Sequence, residues 1–140
     1  MTTPREASVL AATLRRVTLL IGEGVPLRVE KQHASVWAKV GRPDLDGCLA
    51  GRALKIEVKR LGAKPTPIQK KALHDWRRAG AIAFWSDTPG VIEEELRAVW
   101  AKVSAGPVDL RLPWMPTLDL LRRQIEIEDT ELGLGGKTRC

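Results

Sequence analysis

The chain has 140 residues and a mass of 15.5 kDa, enough for one ordinary domain. Hydrophobic residues make up 44% and charged residues 29%, which supplies both a core and a solvated surface and excludes a wholly disordered chain. Lys and Arg number 23 against 17 Asp and Glu, a net charge of +6; residues 1–80 hold 16 basic and 7 acidic side chains (+9), residues 81–140 hold 7 and 10 (−3). An anionic partner, nucleic acid or membrane surface, is therefore expected to meet the first eighty residues.

In chain order, Thr3-Pro4-Arg5-Glu6 reads as a capping box with Thr at N-cap, Pro at N1 and Glu at N3. The helix it opens is expected from about Pro4 to Ile21, with Leu10, Leu14, Val17 and Ile21 on its inner face. Its apolar stretch from Val17 to Gly22 has no cleavage pattern, so no signal peptide is read, and no apolar run approaches the roughly 18–20 residues of a membrane span. Strands are expected at Leu27–Gln32 and Ser35–Val40, turned at His33-Ala34, and then at Asp44–Leu49 and Ala53–Arg60. The last alternates, with Leu54, Ile56 and Val58 on one face and Lys55, Glu57 and Lys59 on the other.

Thr66-Pro67-Ile68-Gln69 is a second capping box. Its helix is expected to run to Ala79 with an inner stripe of Ile68, Ala72, Trp76 and Ala79, and to stop at Gly80. Ala81–Trp85 is a short apolar strand of the kind covered on both faces. Thr88-Pro89 opens a third helix, carrying Val91, Leu96, Val99 and Trp100 and ending before Gly106. The order α-β-β-β-β-α-β-α implies an α/β domain over residues 1–105, a mixed sheet with helices on both sides. Residues 106–130 read as an extended arm around Trp114 plus a short helix, and 131–140 as a disordered tail.

Cys48 and Cys140 make no disulfide framework and no zinc spacing, so a reducing cytoplasmic compartment is the default.

The chemistry concentrates around Pro43-Asp44 and Glu57-Val58-Lys59. Glu57 and Lys59 are two apart on a strand and share a face. If Asp44–Leu49 and Ala53–Arg60 form a hairpin turned at Ala50-Gly51, facing residue numbers sum to 101 and Asp44 lands opposite Glu57. Two facing carboxylates are unfavourable unless a cation lies between them, and a divalent ion held by carboxylate oxygens answers that need. Lys59, one step along, is placed to meet a phosphate or an attacking water.

Pro-Asp followed a dozen residues later by Glu-x-Lys resembles the signature of the PD-(D/E)xK nucleases. The stretch from Gly41 to Trp85, with G-R-P-D-L, an apolar strand ending in E-V-K-R, a Gly/Lys-containing loop, T-P-x-Q and a helix leading to Gly80, resembles their VRR-NUC branch in particular. The resemblance covers about residues 25–100. It implies a restriction-endonuclease-like fold and a stand-alone member of the phage or bacterial type.

It further implies that Asp44 and Glu57 ligate Mg²⁺ or Mn²⁺, aided by the Val58 backbone carbonyl. Lys59 would be the catalytic lysine and Gln69 a residue near the scissile phosphate. Glu6 matches an auxiliary acid that some members carry on the first helix. The activity implied is metal-dependent DNA endonuclease cleavage leaving 5′-phosphate and 3′-hydroxyl ends. The substrate implied is branched DNA such as a Holliday junction, cut by a homodimer, with Trp114 a candidate subunit contact. With that acidic pair in a basic surround, an anionic membrane drops out as partner.

Arg42, Lys55, Arg60, Lys64, Lys70 and Lys71, with Arg77 and Arg78, surround these positions in sequence, and their density suggests phosphate contacts. Each motif also has a plainer reading. Glu-x-Lys on a strand is commonly a solvated edge, and Gln69 and Glu6 are each accounted for as N3 of a capping box. Asp46 is expected to pair with Lys55 opposite it, and Cys48 to pack. His33 and His74 have no metal-ligand partner at useful spacing. The tryptophans read as core or interface rather than as stacking platforms, with Trp85 and Trp100 in the core. Two other functions fit the chain: a non-catalytic DNA-binding module, and a nuclease subunit acting on linear or single-stranded DNA within a larger complex.

Overall fold

A computed structural model describes residues 5–32 and 41–105. The order of elements is α1 (Glu6–Gly22), β1 (Leu27–Lys31), β2 (Leu45–Leu49), β3 (Arg52–Val58), α2 (Pro67–Arg78), β4 (Ile82–Ser86) and α3 (Pro89–Ser104). The expected strand at Ser35–Val40, Trp37, and the arm and tail at 106–140 lie outside the described residues. The α/β class holds: four strands in the order β1-β2-β3-β4 form a mixed sheet with helices on both faces. The β1–β2 and β2–β3 pairs are antiparallel, and β3–β4 is parallel.

Alternation along β3 assigns the two faces. Leu54, Ile56 and Val58 join Ile82 and Phe84 of β4 in a core closed by Val9, Val17 and Leu20 of α1 and Ile92, Leu96 and Val99 of α3. On the opposite face α2 lays Leu73 against Ala83 and Trp85. Every residue of β4 is buried, as its apolar run Ile82–Trp85 predicts for a strand covered on both sides, and Ser86 at its end is buried with them. Trp85 is in the core as expected, and Trp100 packs at the edge of the main one.

The hairpin register is the expected one. Leu49 pairs with Arg52 and Asp46 with Lys55, across a two-residue turn in which Ala50 and Gly51 both have positive φ. At Gly47 a β-carbon would lie 1.9 Å from the Arg28 carbonyl oxygen, so only glycine lets β1 approach this closely.

Three expectations are corrected. Helix α1 starts at Glu6 with Arg5 as its N-cap and no side-chain cap. Arg5 is extended, and its carbonyl accepts the first helical N–H groups, from Ser8 and Val9. Glu6 is therefore in the first turn rather than at N3 of a box. Secondly, the fully buried positions of α1 are Val9, Thr13, Val17 and Leu20; of the expected row, Leu10 and Leu14 pack partly buried against the core and Ile21 is exposed. Thr13 enters the core because its hydroxyl donates to the Val9 carbonyl at 2.8 Å, which satisfies it without water.

Thirdly, the inner row of α2 is Gln69, Leu73 and Arg77. Leu73 is its one buried residue, while Ile68 and Trp76 are exposed. Gln69 donates to a β3 carboxylate and Arg77 to the Ala83 carbonyl, so polar groups occupy positions that an apolar stripe was expected to hold. The predicted stop at Gly80 is met. Gly80 has φ +102, its N–H donates to the Arg77 carbonyl, and the Ala81 N–H donates to the Trp76 carbonyl, which together make a Schellman motif.

Candidate active site

The site sits where β3 ends. β2 stops at Leu45, but the Asp44 carbonyl still accepts the Gln32 N–H at 2.8 Å, so Asp44 stays in line with the β1–β2 ladder. Its carboxylate turns across to β3, and Oδ2 accepts the Val58 N–H at 2.9 Å. Lys59 is held from the other side, its N–H donating to the Ser86 carbonyl at 3.0 Å. The backbone of β3 is thus fixed on both flanks through the Glu57-Val58-Lys59 step. A strand residue turns its N–H and C=O toward the same neighbour, so the Val58 carbonyl is directed to the Asp44 side.

Glu57 is 1% exposed, beneath α2. Its Oε1 accepts from Gln69 Nε2 at 2.9 Å and lies 3.3 Å from Lys59 Nζ. Its Oε2 is enclosed and has no hydrogen-bond partner among the described residues. Burial, followed by the negative charge of Asp44, pushes the Glu57 carboxyl up to about 8; Lys59 opposes this without cancelling it. A hydrogen bond to the Asp44 carboxylate favours the proton on Glu57 further, so the two acids hold a proton that a cation would replace.

Helix α2 is aimed at this spot by its own cap. Thr66 Oγ1 accepts the Gln69 N–H, and Gln69 Oε1 accepts the Thr66 N–H at 2.8 Å. The reciprocal box holds the Gln69 amide where its other end reaches Glu57. The positive end of the helix dipole is brought to the carboxylates by the same geometry.

The structure thus brings together Asp44, Glu57, Val58, Lys59 and Gln69. It does not bring Glu6 to them. Among the described residues no group of three His, Cys, Asp or Glu side chains is placed to hold a metal ion. The donor set still fits a hard divalent cation: a buried carboxylate oxygen with no donor among the described residues, beside a second carboxylate. Mg²⁺ is commonly held by one or two carboxylates, the rest of its shell being water and substrate phosphate oxygens.

The basic residues divide. Arg42, Arg60 and Lys64 are exposed, and Lys70 is half-buried. Lys71 pairs with Asp75 at 2.7 Å. Lys55 is nearly covered: it pairs with Asp46, as expected from the register, and its Nζ sits 4.0 Å from the centre of the Trp76 ring. Cys48, expected to pack, is exposed and lines an open groove with Arg28, Glu30, Gln32, Asp46 and Gly47. Among the described residues, α2 lies mainly over β3 and β4, and the groove opens beside it on β1 and β2. The place of Trp76 was missed in sequence because its spacing from Ile68 and Ala72 suggested core. The signal available was Lys55, whose apolar stem and charge suit an aromatic lid.

No helix among the described residues is long and apolar enough to cross a membrane. Compared with protein-family models, with curated proteins and with solved structures, the chain matches none.

Proposed function

We propose that the protein is a metal-dependent DNA endonuclease that hydrolyses phosphodiester bonds at the Asp44–Glu57–Lys59 site. The observation that carries this reading is the Glu57 carboxylate: 1% exposed, held on Oε1 by Gln69 and Lys59, and lacking any hydrogen-bond partner on Oε2 among the described residues. Burying such a group costs stability unless a cation or proton completes it. Asp44, which accepts the Val58 N–H through Oδ2, sets a second carboxylate beside it.

Asp44, Glu57 and the Val58 carbonyl are the groups that would hold Mg²⁺ or Mn²⁺. When bound, such an ion supplies Lewis acidity at the phosphate and lowers the pKa of water. The residues themselves do the rest. Lys59 sets its ammonium beside Glu57, where it counters charge developing on phosphorus-bound oxygens or orients the attacking water. Gln69 keeps Oε1 occupied, so that Oε2 is the oxygen offered to the cation. Arg42, Arg60 and Lys64 supply positive charge for the DNA backbone.

The substrate assigned on the strength of the resemblance is branched DNA, cut in the cytoplasm by a homodimer whose two sites address two strands. Cleavage leaves 5′-phosphate and 3′-hydroxyl ends. The test is incubation of end-labelled four-way junction, flap and linear duplex with Mg²⁺ or Mn²⁺, with the product ends mapped and the mass of the protein–DNA complex measured. Cutting of the junction in preference to the duplex, by two subunits, is the expected result. Binding without cutting under every divalent ion refutes the enzyme, and cutting by a monomer refutes the dimeric resolvase.

A further inference from the structure

We propose that Trp76 is a stacking platform for an unpaired nucleobase next to the scissile phosphate, so that the strand being cut enters with a single-stranded or extruded nucleotide beside the cleavage point. This deepens the nuclease reading and rests on it.

Trp76 is 40% exposed, on the helix that also carries Gln69. It is not a loose side chain. Lys55 Nζ lies against its ring, and Lys55 is itself fixed by Asp46. The ring is therefore held in place before any ligand arrives, which lowers the ordering cost of binding.

Its position relative to the acidic pair is set twice. Lys55 and Glu57 share one face of β3 two residues apart, about 7 Å along the strand. Gln69 and Trp76 share a side of α2 two turns apart, about 10 Å along the axis. The strip thus has carboxylates at one end and an indole at the other. That is the spacing a nucleic-acid strand offers between a phosphate and a nearby base.

Charge separates the two ends further. The groove beside the Trp76–Lys55–Asp46 stack has a volume of about 280 Å³ and is lined by Arg28, Glu30, Gln32, Asp46, Gly47 and Cys48. Arg28 pairs with Glu30 at 2.8 Å and Lys55 with Asp46, so the groove presents little net positive charge to a phosphate. An aromatic face accepts any base. A protein partner fits less well, because an apolar interface would desolvate those charged lining groups.

The test uses the full chain in EDTA, so that binding is read without cleavage. Fluorescence anisotropy is measured for labelled oligo-dT and for a blunt duplex, with wild type, Trp76→Ala, Trp76→Leu and Trp76→Phe. The Ala and Leu variants are expected to lose roughly ten- to a hundredfold in affinity for oligo-dT, with duplex binding within about twofold of wild type and the Phe variant close to wild type. Leucine keeps an apolar cover over Lys55, so the Leu–Phe contrast stands even if Trp76→Ala fails to fold. Equal loss on both DNAs, no loss on either, or full oligo-dT binding by Trp76→Leu overturns the proposal. So does a Leu variant whose only change is in self-association, which would make Trp76 part of a protein interface. The two readings fail separately. If wild type cuts no DNA but the Leu–Phe contrast holds, the nuclease falls and the platform stands; cutting without the contrast is the reverse.

Discussion

The side-chain amide of Gln69 donates to Glu57 Oε1 at 2.9 Å while its own oxygen accepts the Thr66 N–H at 2.8 Å. One residue therefore closes the helix cap and anchors the buried acid. The two roles separate by mutation. Thr66→Ala removes the cap and is expected to cost about 1 kcal/mol in urea melts while leaving single-turnover cleavage within a few-fold of wild type. Gln69→Ala removes both contacts and is expected to cost a similar stability with a ten- to hundredfold loss of cleavage, on the order of 1.4–3 kcal/mol in the barrier. Equal cleavage by the two variants would leave Gln69 as a cap alone.

Glu57 couples folding to pH. Its folded value of about 8 stands above the ordinary 4.5, so the folded chain keeps a proton that the unfolded chain releases between those values. Its contribution to stability is then largest at low pH, falls as pH rises through that window, and levels off above about 8. In metal-free buffer the loss is on the order of a few kcal/mol. Glu57→Gln is expected to flatten the profile of melting temperature against pH. A wild-type profile that does not fall across this window contradicts the assignment.

Divalent ions should act in the opposite sense. A cation bound to the ionised pair stabilises the fold by about 2.7 kcal/mol at a hundred times its dissociation constant. The gain in melting temperature with Mn²⁺ is expected to be larger at pH 8 than at pH 5, and to be lost in Asp44→Asn. A gain that persists undiminished in that variant places the ion elsewhere.

Gly47→Ala puts a methyl group 1.9 Å from the Arg28 carbonyl oxygen. Backbone cannot yield as a flexible side chain does, so β1 must separate from β2. A destabilisation of about 2 kcal/mol or more is expected in thermal or urea melts. A neutral effect would show that the two strands are farther apart than described.

The exposed and covered cations should differ in salt dependence. Arg42→Ala and Arg60→Ala are each expected to reduce the slope of log affinity against log salt by roughly 0.9 on duplex DNA. Lys55→Met is expected to leave the slope unchanged, since Lys55 is committed to Asp46 and Trp76. A matching drop for Lys55 would mean that it leaves that pair to meet DNA.

The parts of the site legible in the sequence are those governed by strand alternation and turn geometry. The period-two pattern of β3 placed Glu57 and Lys59 on one face, and the Ala50-Gly51 turn placed Asp44 opposite them. Helix rotation was harder to read. α1 is apolar around much of its circumference, so a one-residue rotation costs its pattern little, and Thr13 scores as polar until its hydroxyl bond to Val9 is seen. In α2 the inner row carries the polar Gln69 and Arg77, which hid Leu73 behind the more apolar row of Ile68, Ala72 and Trp76, although Gln69 itself was marked by its capping box and by the resemblance. The same misreading concealed the exposed indole.

The central claim is that Asp44, Glu57 and Lys59 form a hydrolytic site. The most direct measurement is single-turnover cleavage of a labelled four-way junction in Mn²⁺ by wild type, Asp44→Asn and Lys59→Ala, with junction binding measured alongside in EDTA. The expected result is cleavage by wild type, loss of a hundredfold or more in both variants, on the order of 3 kcal/mol, and binding retained. Cleavage that survives in both variants, or a wild type that binds the junction and never cuts it, contradicts the account.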